Sequence, residues 1–136
     1  MKNIRILILE DDIETVEAIL NVLLEIQKKK SVYFGFTVLS THKEVESYIN
    51  QNKADDYDIL LLDRDDYLGG SYHTVDLTLF NPNNIISISS VPDYNDEAVV
   101  KGIKRVVFKD YQKLDTFAIG LKKELLEILN LNNKTL

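Results

Sequence analysis

The sequence predicts an α/β protein in which five parallel strands form one doubly wound sheet with helices on both faces. Short apolar segments alternate five times with segments whose apolar residues recur every three or four positions. The short segments are apolar at successive positions, which is typical of strands buried on both faces. A length of 136 residues suits one domain with an ordinary hydrophobic core.

The predicted strands are short and rich in β-branched or aromatic residues. Most of them stop where polar or charged residues begin, which supports their bounds. They cover residues 4–9, 32–39, 57–62, 85–88 and 105–108.

The first predicted helix follows the first strand. Its apolar residues are spaced as on one face of a helix, and the lysines at 28–30 suit the negative end of its dipole. This pattern indicates an amphipathic helix. Its apolar residues are Ile13, Val16, Leu20, Leu23 and Leu24.

Four further helices are predicted between and after the remaining strands. A capping box opens a helix at residues 41–52, and residues 68–80 are predicted as a crossover helix although part of that segment alternates like a strand. A short helix is predicted at residues 93–102, and a last helix begins at Asp115 or Thr116. We expect a single domain over residues 1–130 and a frayed C-terminal tail over residues 131–136.

Charge and composition exclude several classes of protein. The chain has 22 acidic and 16 basic side chains and a formal net charge of -6, which argues against nucleic-acid binding. It has no cysteine, which excludes disulfides, thiolate metal sites and cysteine nucleophiles. No apolar run reaches membrane-spanning length and no secretory signal is seen, so we expect a cytoplasmic protein without membrane insertion.

Chemically active side chains follow four of the predicted strands. In a parallel α/β fold, functional groups lie outside the carboxyl ends of the strands, so these side chains should converge. Clustered carboxylates repel one another unless a cation joins them, and Mg²⁺ takes one or two carboxylates. A carboxylate can also attack a phosphoryl group, whose charge a metal, a lysine and a hydroxyl would stabilise. The side chains are Glu10, Asp11 and Asp12 after the first strand, Asp63 and Asp65 after the third, Ser89 and Ser90 after the fourth, and Lys109 after the fifth.

Glu10-Asp11, Asp63, Ser89 and Lys109, in this order and each at a strand end, resemble the receiver domain of bacterial two-component response regulators. The resemblance covers about residues 2–129 and implies a flavodoxin-like sheet with the strand order 2-1-3-4-5. It implies that Asp63 accepts a phosphoryl group from a sensor histidine kinase or a phosphotransfer protein. Ser89 would turn its hydroxyl toward the phosphoryl oxygens, and Lys109 would pair with them.

The resemblance also implies a Mg²⁺ site. Asp11 would be a direct ligand, Glu10 would act through water, and Asp63 and the backbone carbonyl of Asp65 would complete the protein ligands. Asp12 is interpreted instead as a structural residue that suits the positive end of the following helix dipole.

The chain departs from the receiver pattern at several points, one of which is Asp110, which follows Lys109 where proline is usual. Residues 66–70 read Asp-Tyr-Leu-Gly-Gly where Met-Pro is usual, and Val106 stands where an aromatic switch residue is common. No output domain follows, so we expect a stand-alone receiver that catalyses only its own phosphorylation and dephosphorylation. We expect it to act by protein contact, as a monomer or weak homodimer, on a downstream target that the sequence does not name.

Two alternatives stay open. The first is a receiver-like interaction module that no longer depends on phosphorylation, which the altered loop and Val106 favour. The second is a Mg²⁺-dependent enzyme, because Asp63-Arg64-Asp65 and Glu10 resemble the acidic motifs of Toprim enzymes and haloacid dehalogenase-like phosphatases. Neither enzyme family accounts for Ser89 and Lys109 as well as the receiver does.

Overall fold

Five parallel strands form one sheet in the order β2-β1-β3-β4-β5, as predicted. The computed structural model describes residues 1–40, 56–63 and 77–134, with side chains as far as residue 130. The observed bounds lie within two residues of those predicted, because each strand coincides with a compact apolar segment. The strands are β1 (Lys2–Leu9), β2 (Val32–Leu39), β3 (Ile59–Asp63), β4 (Ile85–Ser89) and β5 (Arg105–Phe108).

The described residues form three α-helices, which cover both faces of the sheet. Helices α1 (Ile13–Lys29) and α3 (Leu114–Lys134) pack on one face, and α2 (Pro92–Val100) packs on the other. In the described part of the chain, no helix is long and apolar enough to cross a membrane. Each face of the sheet has its own hydrophobic core. Successive residues of a strand point to opposite faces, so they contribute to the two cores alternately. Ile6 and Ile8 lie in the first core, and Leu7 and Leu9 in the second.

The predicted crossover helix at residues 68–80 is wrong at its described end. Leu77–Leu79 forms a 3₁₀ turn, and a second 3₁₀ turn, Pro82–Asn84, leads directly into β4. Asn81 is extended, with φ -70° and ψ 117°, because the proline after it disfavours the helical conformation. Residues 64–76 and the predicted helix at 41–52 lie outside the described residues.

The apolar stripe of α1 is wider than the face that packs on the sheet. Ile13 is 84% exposed and Leu24 is 47% exposed, although both belong to the predicted stripe. Leu24 lines a groove with Phe36 of β2, so this exposed part of the stripe lies on the side of the edge strand β2. The buried residues of α1 are Thr15, Ile19, Val22, Leu23 and Ile26.

The two later helices end differently. Helix α2 ends beside Gly102, whose φ of 100° turns the chain so that the amide of Ile103 donates to the carbonyl of Ala98. Helix α3 begins at Leu114 and continues to Lys134, beyond the point at which the sequence predicted a frayed tail. Residues 130–134 contain neither glycine nor proline, so nothing in the chain stops the helix there.

Candidate functional site

The carboxyl edge of the sheet carries four predicted site residues, and all four are buried. Asp63 is the last residue of β3, Ser89 is the last residue of β4, and Glu10 and Lys109 follow β1 and β5 directly. Their exposed fractions are 1% for Glu10 and 0% for the other three. Because β1, β3, β4 and β5 are successive neighbours, these side chains come together although they are distant in the chain.

Among the described residues, Lys109 supplies a cation to this site. Its Nζ donates a hydrogen bond to Glu10 Oε1 at 2.8 Å and forms an ion pair with Asp63 Oδ2 at 3.2 Å. The contact with Asp63 is electrostatic rather than an aligned hydrogen bond. Since all three side chains are buried, the Lys109 ammonium group offsets part of the charge of the two carboxylates where water cannot.

Glu10 also organises the turn from β1 to α1. Its Oε2 accepts hydrogen bonds from the backbone amides of Asp11 at 3.0 Å and Asp12 at 3.2 Å. Together with Lys109, these amides engage both carboxylate oxygens of Glu10. The sequence predicted that Lys109 converges with the acidic residues, but the direct contact between Lys109 and Glu10 was not predicted.

Three carboxylates form a potential cation site. Glu10, Asp11 and Asp63 each offer an oxygen, and these oxygens lie within 4.8 Å of one another. Asp11 is half-buried, whereas the other two are buried. This donor set fits Mg²⁺, which prefers carboxylate oxygens and retains several waters. Asp65, the further predicted ligand, lies outside the described residues, as does the altered loop at 66–70.

Asp12 caps helix α1. Its Oδ2 accepts hydrogen bonds from the backbone amide of Thr15 at 2.9 Å and from the Thr15 hydroxyl at 2.6 Å. An aspartate at this position satisfies an amide that lacks a partner within the helix. The position of Asp12 therefore agrees with its interpretation as a structural residue.

Ser89 directs its hydroxyl along its own chain. The Oγ accepts a hydrogen bond from the backbone amide of Val91 at 3.0 Å, and the Ser89 carbonyl accepts from the amide of Lys109 at 2.8 Å. Asp63 is paired in register with Ile88, so Ser89 lies one residue further along the neighbouring strand. Ser90 is half-buried and lies beyond the end of β4.

Solved protein structures show which known fold this arrangement belongs to. A response regulator in red light signaling of R. palustris matches with a TM-score of 0.64 and 17% identity, over 88% of this chain and 90% of that chain. The CheX-CheY-BeF3-Mg²⁺ complex from Borrelia burgdorferi matches with a TM-score of 0.63 and 14% identity, over 93% and 89%. The Mn²⁺-bound form of response regulator Rcp1 matches with a TM-score of 0.63 and 14% identity, over 85% and 88%. The chain has the receiver fold.

Comparisons of the sequence give no match, in contrast to the comparison of structures. No protein-family model matches the sequence. No curated protein matches it either. At identities of 14% to 17%, the structural similarity establishes the fold, and the function has to be argued from the site itself.

One aromatic residue at this site, Tyr111, was not predicted from the sequence. The ring of Tyr111 lies over Lys109, with Nζ 5.0 Å from the ring centroid, a cation–π distance. Tyr111 is 48% exposed, and Val106 on β5 is 36% exposed. An aromatic residue two positions after a strand-end lysine was the available signal, but its contact depends on how the chain turns after β5.

Proposed function

We propose that this protein is a response regulator receiver that accepts a phosphoryl group on Asp63 and signals through protein contacts. The donor would be a sensor histidine kinase or a phosphotransfer protein. The observation that carries the proposal is the buried ion pair of Asp63 and Lys109, 3.2 Å apart at the carboxyl edge of a sheet with the receiver strand order. The solved receiver structures, which include a CheX-CheY complex, support protein partners of the two-component kind.

In the proposed reaction, a carboxylate oxygen of Asp63 attacks the phosphorus atom of the donor. A bond forms between that oxygen and phosphorus, the bond from phosphorus to the histidine nitrogen breaks, and the imidazole keeps the electron pair and takes up a proton. Lys109 is close enough to shift from its carboxylate contacts to the phosphoryl oxygens. The Ser89 hydroxyl would supply a further hydrogen bond to those oxygens.

Mg²⁺ is the proposed cofactor. Glu10, Asp11 and Asp63 would hold it, together with the backbone carbonyl of Asp65. When bound, the ion would neutralise part of the negative charge on the phosphoryl group. The carboxylate cluster supports this proposal, as do the solved structures, one of which is described as Mn²⁺-bound and another as containing Mg²⁺.

We propose that the protein is not an enzyme that acts on separate substrates. It would catalyse only the formation and loss of its own acyl phosphate, and we propose that it does so in the cytoplasm. The acidic net charge of -6 agrees with a protein that signals without binding nucleic acid.

A second candidate is a receiver-like module that binds partners without being phosphorylated. Val106 favours it, because this position on β5 lacks the ring that commonly reports phosphorylation in receivers. In that case Lys109 would serve mainly to offset part of the charge of Glu10 and Asp63. The candidate predicts that partner binding is unchanged by Asp63→Ala.

The deciding experiment is intact mass measurement after incubation with acetyl phosphate, with and without Mg²⁺. The wild type is compared with Asp63→Asn and with the control Asp12→Asn, which keeps a capping side chain. A metal-dependent phosphoryl adduct in the wild type and the control, but not in Asp63→Asn, supports the receiver. An adduct in Asp63→Asn contradicts it, and no adduct where a known receiver labels favours the interaction module.

A further inference from the structure

The outer flank of helix α1 is apolar beyond what the sheet covers. Ile13 is 84% exposed, Leu24 is 47% exposed, and Val16 and Leu20 between them are half-buried. These four residues recur at steps of three and four, so they form one line along the helix. The apolar surface of α1 is therefore wider than the face that packs against the sheet.

The edge strand β2 extends this apolar surface. Phe36 is 55% exposed and Val38 is 36% exposed. Leu20, Leu24 and Phe36 line one groove between the helix and the strand. Together these residues form the β2-edge patch, which consists of Ile13, Val16, Leu20, Leu24, Phe36 and Val38.

The backbone of β2 is oriented for pairing with another strand. The carbonyls of Ser31 and Leu39 accept from β1, so the odd-numbered residues face β1 and the even-numbered residues face outward. The outward amide of Phe34 donates to Gln27 Oε1 at 2.9 Å. Among the described residues, no strand lies beside the outward groups of Phe36 and Val38.

The sequence of β2 does not oppose such pairing. Edge strands usually carry charges or proline, or are very short, and these features prevent association. Val32–Leu39 has eight residues and contains neither a charge nor a proline. The absence of charged residues from β2 contrasts with the rest of the chain, which has a net charge of -6.

We propose that the β2-edge patch binds a second copy of this chain. The two β2 strands pair antiparallel about a two-fold axis at Phe36, which joins the two sheets into one. The outward amide and carbonyl of Phe36 gain partners in the second copy, and the amide of Val38 donates to the carbonyl of Phe34 in the second copy. The apolar flanks of the two α1 helices cover each other. This interaction goes beyond the proposed receiver function, because it does not involve Asp63.

Charge complementarity identifies the second copy as the occupant. Gln27 lies level with Phe34, because the Gln27 side chain accepts a hydrogen bond from the backbone amide of Phe34. Phe36 lies about 6.6 Å further along the strand, and helix α1 runs the opposite way with a rise of about 1.5 Å per residue, so Phe36 is level with about position 22. Glu17 and Lys28 are exposed and lie about equally far on either side of that position. The two-fold axis therefore brings Glu17 of one copy opposite Lys28 of the second copy, twice in the dimer.

The first test measures self-association by sedimentation velocity over a wide range of concentrations. We expect a concentration-dependent dimer in the wild type and in Asp63→Asn. Phe36→Lys should weaken the dimer at least about tenfold, because it buries a charge at the centre of the interface. The matched control is Phe108→Lys, at an aromatic residue on the opposite edge strand that is 52% exposed, and it should leave the dimer unchanged.

The second test reverses charges at exposed positions, where folding is preserved. Glu17→Lys and Lys28→Glu should each weaken the dimer about fivefold, and the double variant should recover the wild-type association. A wild type that is monomeric throughout overturns the proposal. So does weakening by Phe108→Lys rather than Phe36→Lys, or a double variant that associates no better than the single variants.

Discussion

Lys109 donates a hydrogen bond from Nζ to Glu10 Oε1 at 2.8 Å, across 99 positions of sequence. The contact joins the residue after the last strand to the residue after the first strand, and both side chains are fully buried. Asp63, on one of the two strands that lie between β1 and β5 in the sheet, is 3.2 Å from the same ammonium group. One ammonium group therefore contacts two carboxylates, which leaves a net charge of about -1 on these three side chains before any ligand binds.

Replacing the buried lysine should destabilise the fold strongly. Lys109→Met removes the ammonium group that contacts Glu10 and Asp63, and breaking a buried ion pair in this way costs about 3–5 kcal/mol. Urea unfolding measures the change in the free energy of unfolding. Lys104→Met, at an exposed lysine, is the control and should have little effect. Adding Glu10→Gln to Lys109→Met should recover part of the loss, and a loss no larger than that of the control would contradict the role of the pair.

Mg²⁺ should stabilise the native protein against heat, because it binds the folded chain and not the unfolded one. At a concentration one hundred times the dissociation constant the gain is about 2.7 kcal/mol. Differential scanning calorimetry with and without the metal measures the shift in melting temperature. Asp11→Ala and Asp63→Ala should each reduce the shift, whereas Asp12→Asn should retain it. An equal shift in all four proteins would exclude the carboxylate cluster as the binding site.

Phosphorylation should release the backbone amide of Val91. This amide now donates to Ser89 Oγ at 3.0 Å, and the proposed reaction turns that hydroxyl toward the phosphoryl group. The Val91 amide signal in ¹H–¹⁵N NMR spectra should therefore move when Asp63 is phosphorylated. In Ser89→Ala the signal should start at a different position and respond less. A Val91 signal that stays in place in the phosphorylated wild type would show that Ser89 keeps its present hydrogen bond.

An exposed ion pair between α1 and α3 should give a measurable pH dependence. The hydrogen bond from Lys122 Nζ to Glu25 Oε1, at 2.6 Å, lowers the pKa of Glu25, and its charge and that of Lys29 act in the same direction. A carboxyl whose pKa is lowered by folding stabilises the native state above its unfolded-state pKa. That contribution is lost as the pH falls through the lowered value.

The pair can be tested by NMR titration of the Glu25 side-chain carboxyl carbon. Lys122→Met should raise the pKa of Glu25 toward the ordinary glutamate value and reduce the acid dependence of stability. Lys29→Met should raise it less, because Lys29 contributes less to the shift. An unchanged pKa in Lys122→Met would mean that the pair is not populated in solution.

Much of the fold was predictable because its determinants are local in the chain. The bounds of β2 and β5 were predicted without error, since each strand is a short apolar or aromatic segment between polar neighbours. The strand order and the residues at strand ends were predicted from the receiver resemblance and the direction of parallel strands. The turn at Leu77–Leu79 was not, because helical spacing over a few residues does not outweigh a nearby proline.

The sequence by itself determined which residues lie at the carboxyl ends of the strands, because β-propensity and the position of charges are properties of short segments. Only the tertiary structure decided what those residues contact. Glu10 meets Lys109 because β1 and β5 are held in one sheet, and Tyr111 covers Lys109 because of the path after β5. The exposure of Leu24 was decided in the same way, since a helical stripe records spacing but not how much of it a sheet edge can cover.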